Sequence, residues 1–350
     1  MTSGTIGIDT AGQRHRTVRA LPATPAFEWT MVALATAVAA GAHLDAWAHG
    51  HVPSTLETFF TPWHALLYAS LAATTAYLVV RAALTGARPW DWGRTLPDGY
   101  AMSLAGCFLF GIGGVLDMAW HLTLGIEVGF QALISPTHLI LMVSAALIAS
   151  GPLRAAWRRA GRRIGWPAIA SAMLTLTALT FFSQFDHPFT SQWSAGFPPA
   201  LNVEQAEELG MLGVIVQSAL LMGVVLVLVR RFTLPFGALT FVMGLNAVFV
   251  TLIWKADPVI LVGVLGGLAA DVLYAVLRPS PTRLDATRLF AFAVPLVLYA
   301  IYFAGLIQVD GVWWPVHLWA GAPVVAGLTG WVVSLAVLPP ALPDAATLPS

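Results

Sequence analysis

Hydrophobic residues run along this chain in long blocks rather than in alternation. Blocks of roughly 20 residues, the length a helix needs to cross a bilayer core, recur from end to end. Short polar stretches rich in Gly, Pro, Asp and Arg separate them. The pattern predicts an all-α, polytopic helical membrane protein with ten spans. They fall at 27–48, 62–84, 99–121, 135–157, 166–185, 209–230, 234–254, 257–277, 287–307 and 314–338. Residues 1–26 and 339–350 read as disordered tails around one membrane domain, 27–338. Arg14, Arg16 and Arg19 precede the first block as they would in a signal peptide. The leader is long and the block long enough to span, so an uncleaved first helix is expected.

Composition agrees with this solvent. The 350 residues are 58% hydrophobic and 10% charged, where a soluble domain carries about 25% charged residues. Net charge is zero, so the placement of charge carries the information. All sixteen arginines lie in the N-terminal tail or at and beyond the ends of spans 2, 4, 6 and 8. The alternate loops hold one basic residue, Lys255. The positive-inside rule then puts both termini in the cytoplasm of a cell-membrane protein, as an even span count requires. The lipid bilayer is its first partner, and no nucleic-acid partner is expected. The single cysteine, Cys107, sits inside an apolar block, which leaves no internal disulfide and no CxxC-type metal site.

Histidine placement changes the picture. Eight of the nine histidines fall at the expected outer ends of spans: His43, His49, His51, His64, His121, His138, His187 and His317. Ionisable groups near or within spans are costly and tend to be functional. Two sets form a repeat. Asp45 and His49 are followed by Glu57 and then by Thr61-Pro62-Trp63-His64. Asp117 and His121, 72 residues further on, are followed by Glu127 and then by Ser135-Pro136-Thr137-His138. The unit is D-x3-H, a loop with Glu, then [TS]-P-x-H, and it makes 27–84 and 99–157 two versions of one helical hairpin.

Helical geometry turns this spacing into chemistry. Residues four apart share a helix face, so each Asp-His pair points one way. Thr61 and Ser135 are good N-caps, and the prolines after them suit the first helical position. That start aims His64 and His138 back at the preceding pair. The positive end of the helix dipole disfavours a protonated imidazole there, and metals bind the neutral form. The expected product is two metal sites, Asp45/His49/His64 and Asp117/His121/His138. Glu57, Glu127, His43, His51 and His317 are candidates for a supporting shell. The plainer alternative is an interfacial belt of histidines and tryptophans, including Trp47, Trp63, Trp120, Trp193, Trp254, Trp313 and Trp314. His43, His51, His187 and His317 taken singly suit that alternative, and Glu57 and Glu127 are equally readable as solvated loop residues. Asp271 has no evident partner. Two histidines and a carboxylate accept Cu(II), Fe(II) or Zn(II), and the residues alone leave the metal open.

The stretch "ETFFTPWH" at 57–64 is similar to the "DTDFTPSH" stretch of the C subunit of particulate methane and ammonia monooxygenases. In that family a D-x3-H pair shares a copper ion with the final histidine, and a second set follows about seventy residues later. The match covers roughly residues 43–140. Asp117 stands where the methane-oxidising members carry Asn, and the loop between His49 and His64 is slightly longer here. The resemblance implies copper at both sites, O2-dependent oxidation of a small apolar substrate, and partner subunits of the monooxygenase type. The rival expectation is a membrane protein that handles or transports copper or another divalent metal, with Asn246, Gln217 and Asp271 as the polar candidates for a path. A metal that merely staples hairpins together is a third.

Overall fold

A computed structural model describes residues 20–52, 61–125, 130–199, 202–253 and 259–339. Among the described residues the fold is all-helical. In chain order the helices are α1 (Pro25–His51), α2 (Pro62–Ala83), α3 (Trp92–Thr95), α4 (Ala101–Leu124) and α5 (Phe130–Ile134). Next come α6 (Pro136–Ala149), α7 (Gly151–Arg158), α8 (Trp166–Phe182), α9 (Pro188–Ser191) and α10 (Val203–Arg231). The last four are α11 (Ala238–Thr251), α12 (Val259–Leu277), α13 (Leu284–Val309) and α14 (Val316–Val337).

Among the described residues seven helices are long and apolar enough to cross a bilayer: α1, α2, α4, α10, α12, α13 and α14. The α6–α7 pair makes an eighth if counted as one span bent by 46°. The block at 135–157 is therefore not one straight helix. Gly151-Pro152 explains the bend, because proline lacks the amide that would continue the ladder. Arg154 fastens the break: its guanidinium donates to the carbonyls of Gly99 and Leu147 and to the Ser103 hydroxyl, at 2.8–2.9 Å. It is a tethered residue, not a free loop charge. Helices α8 and α11 are apolar but shorter, at 17 and 14 residues.

Residues 20–26, expected in the N-terminal tail, include the start of α1. Thr24 caps α1, its hydroxyl accepting from the Phe27 amide at 3.2 Å, and Pro25 begins the helix. The Leu21 amide donates to the Thr95 carbonyl at 2.8 Å, which docks the segment before α1.

Helix α1 packs along α2, and α4 along α6, while α8 lies against α1, α6 and α11. On the other side, α11, α12, α13, α14 and α10 pack in that succession. Asp271, whose partner was not evident in sequence, is buried on α12 and caps α11. Its carboxylate accepts from the Leu239 and Thr240 amides at 3.2 and 2.9 Å and from the Thr240 hydroxyl at 2.6 Å. These are the orphan donors every helix start exposes, here satisfied from a neighbouring helix.

Candidate metal centre

The end of α1 and the start of α2 build the first site. Thr61 is the N-cap of α2 and Pro62 its first residue, as the spacing predicts. The Thr61 hydroxyl oxygen accepts from the His64 amide at 3.2 Å and lies 2.9 Å from His64 Nδ1. The ring is thereby turned so that Nε2 stands 3.3 Å from Asp45 Oδ1. His49, one turn after Asp45, places its Nε2 3.8 Å from Oδ2 of the same carboxylate.

The end of α4 and the start of α6 build the second. His121 Nε2 is 3.3 Å from Asp117 Oδ2, and His138 Nδ1 is 3.6 Å from Asp117 Oδ1. The cap differs from the first. Ser135 holds the N-cap position without bonding the helix amides, and its hydroxyl sits 2.7 Å from His138 Nδ1 instead. Thr137 adds a bond that spacing did not reveal, donating to Asp117 Oδ1 at 2.8 Å. Asp117 is thus buried but well satisfied, as a carboxylate in apolar surroundings must be.

In each set one donor atom per residue lies within 4.8 Å of the others. Two imidazoles and a carboxylate at this spacing can hold a metal ion after a small inward adjustment, because Zn–N and Zn–O bonds are about 2.0–2.2 Å. The hydroxyls of Thr61 and Ser135 on the histidine Nδ1 atoms are the orienting bonds that metal-binding histidines generally keep.

All six residues line one cavity of about 390 Å³ between α1, α2, α4, α6 and α8. Tyr68, one turn after His64, lines it too and is close enough to feel the charge of both Asp45 and Asp117. Its hydroxyl fits where Gly114 has no side chain: a Cβ there would lie 2.5 Å away. Tyr68 therefore sits between the two sets, and the sequence reading missed it. The only local signal was its position four residues after His64.

The other candidates separate. His43 is buried, its Nδ1 2.7 Å from the Ala39 carbonyl and its ring edge-on to Phe181 and Phe249. His187 is also buried and caps α9, with Nδ1 accepting from the Phe189 amide at 3.1 Å. Neither is a headgroup-facing histidine, because each packs among protein rings. Burial pushes His187 down to about 3, and pushes the adjacent Asp186 up to about 6 against the lowering effect of its Gln217 hydrogen bond. His51 is exposed and stacked on Trp47, and His317 is exposed at the start of α14; the grouped ligand atoms include neither. Trp314, expected in an interfacial belt, is buried against the Gly210 backbone of α10. Glu57, Glu127 and Trp254 lie outside the described residues.

Comparison with protein-family models, curated proteins and solved structures finds no match to this chain.

Proposed function

We propose that this chain is an integral membrane protein that binds copper at Asp45/His49/His64 and Asp117/His121/His138, in the manner of the monooxygenase C subunit. The observation that carries the reading is the convergence of the two sets, 72 residues apart in sequence, on one cavity. A pair of stapling metals has no need of a shared apolar chamber, whereas oxidation of an apolar substrate does. Copper would supply O2 activation there. The residues of the chain bind the ion, turn the imidazoles through Thr61 and Ser135, and exclude water with Phe110, Leu141, Phe181 and Phe182.

On this reading the two ligand-bearing helix pairs are repeats of one hairpin. The chain crosses the membrane ten times, with α6–α7 as one bent crossing and α8 and α11 as short ones. The arginine-rich ends then face the cytoplasm and the copper faces outward. Partner subunits of the monooxygenase type accompany it. The transport alternative has less to draw on, because its polar candidates are engaged in holding helices together. Asp271 caps α11, Asn246 accepts from Thr177 and Thr180, and Gln217 donates to Ser183 and Asp186.

Metal analysis of the purified membrane protein tests the reading. Wild type should carry two equivalents of copper, and His64→Ala and His138→Ala one each. No metal in wild type, or unchanged content in both variants, ends the assignment. Oxygen consumption by membranes supplied with alkanes from short to medium length, or with ammonia, then separates an oxygenase from a metal handler.

A further inference from the structure

The cavity has two unlike ends. On α1, Ala35, Val38, Ala42, Asp45 and His49 all line it, at spacings of 3, 4, 3 and 4 residues. That is one face of a helix, and it passes from apolar to ligating along its length. Ala35 to Asp45 is ten residues, or about 15 Å of helix. Ala145, Ile148 and Ala149 of α6 form a second wall, and Leu174, Ala178 and Phe181 of α8 a third.

Two of the polar groups within this shaft are engaged in hydrogen bonds. The Thr177 hydroxyl donates to Asn246 Oδ1 at 3.1 Å. His43 directs Nδ1 to the Ala39 carbonyl at 2.7 Å. No Lys or Arg lines the cavity among the described residues. Its volume of about 390 Å³ lies within the usual 300–1,000 Å³ of small-molecule sites. A molecule of one or two heavy atoms would leave most of it unfilled.

We propose that this shaft binds one unbranched, uncharged hydrocarbon chain of medium length, an alkane or its primary alcohol, with one end at the six ligand residues. Small side chains on three helices give room for methylenes without branches. The absence of a cationic lining residue and the presence of two carboxylates disfavour an anionic head in the metal-free protein. An uncharged chain also passes from bilayer to shaft without the heavy desolvation cost of a charge. The identity of the reacting end rests on the copper reading above; occupancy of the shaft does not.

The test uses the full-length protein in lipid nanodiscs, with empty nanodiscs as the baseline. Samples are equilibrated with deuterated 1-butanol, 1-decanol, 1-hexadecanol or decanoate, separated by gel filtration, and extracted for mass spectrometry. Metal content is measured on the same samples. The expected result is about one decanol per chain above baseline, with the other three probes near baseline. Ala39→Phe and Ala178→Phe, which fill the shaft away from the ligands, should each lower retained decanol at least about tenfold with metal content unchanged. If a phenylalanine variant fails to fold, Ala178→Leu takes its place, with a smaller loss in the same direction. Baseline decanol in wild type, full retention in the filled variants, or decanoate held as well as decanol by chelator-stripped protein each overturns the proposal. Absence of copper alongside bound decanol defeats the copper reading and leaves this one standing.

Discussion

The Thr61 hydroxyl lies 3.2 Å from the amide of His64 and 2.9 Å from Nδ1 of the same residue, so one oxygen starts α2 and turns the imidazole. Thr61→Val removes both. The helix start should lose on the order of 1 kcal/mol, and metal affinity at the first site should fall about 10- to 100-fold. Titration with a competing chelator reads this out. The second site should keep its affinity, and Thr61→Ser should restore the first.

At the second site the buried partner of Asp117 is Thr137. Thr137→Val keeps the shape and leaves a buried carboxylate oxygen short of a donor, a loss of about 1–3 kcal/mol. Thermal unfolding in detergent should show it as a lowered Tm. An unchanged Tm would mean that the Asp117–Thr137 bond contributes nothing.

Tyr68 and Gly114 form a matched pair, a ring on α2 filling a gap on α4. Gly114→Val drives a branched side chain into the tyrosine, with an overpacking cost of typically 1–3 kcal/mol. Because Tyr68 lies between the two ligand sets, both sites should weaken together. Tyr68→Phe, which keeps the ring, should leave metal content unchanged.

Asp186 supplies a pH signature. Burial raises its folded value to about 6 from the ordinary 3.8, so the folded state favours the protonated form. That contribution is complete below pH 3.8 and is lost as pH rises through about 6. His187 has the opposite sign: its folded value is lowered to about 3, so its contribution is full above 6.5 and is lost as pH falls toward 3. Asp186→Asn removes only the first effect. Its Tm relative to wild type should be higher at pH 8 than at pH 4, by the equivalent of on the order of 1–3 kcal/mol. A difference independent of pH would contradict the assignment.

Asp271→Ala separates architecture from transport. Removing the cap of α11 should lower stability by about 1–3 kcal/mol, with metal content unaffected. A metal path through α12 predicts instead that uptake into cells fails while the Tm holds.

What could be read in advance follows from the range of each interaction. D-x3-H and [TS]-P-x-H are local, governed by the pitch of one helix and the chemistry of its first turn, so the two Asp-His-His groupings were legible. Thr137 stands two residues into the same turn and was passed over, because its value lies in reaching Asp117, 20 residues away. Asp271 and Thr240, 31 residues apart, are likewise joined only by packing. Burial of His43, His187 and Trp314 depends on which neighbours cover them, so an interfacial placement from sequence was wrong for each. The bend at Gly151-Pro152 had a local cause and was there to be seen. Block length concealed it, since hydrophobicity continues through the break.

The two ligand sets are also unequally sheltered. In the Asp-His pairs the His49 and Asp45 side chains are 34% and 17% exposed, against 14% and 5% for His121 and Asp117, while the third histidines run the other way, His64 at 12% and His138 at 22%. If each set holds an ion, exchange requires an incoming group to reach it, and the more exposed Asp-His pair would exchange sooner. A brief exposure to chelator should empty the first and spare the second, yielding a half-loaded protein. That species is a natural preparation in which the Asp117 site can be studied by itself.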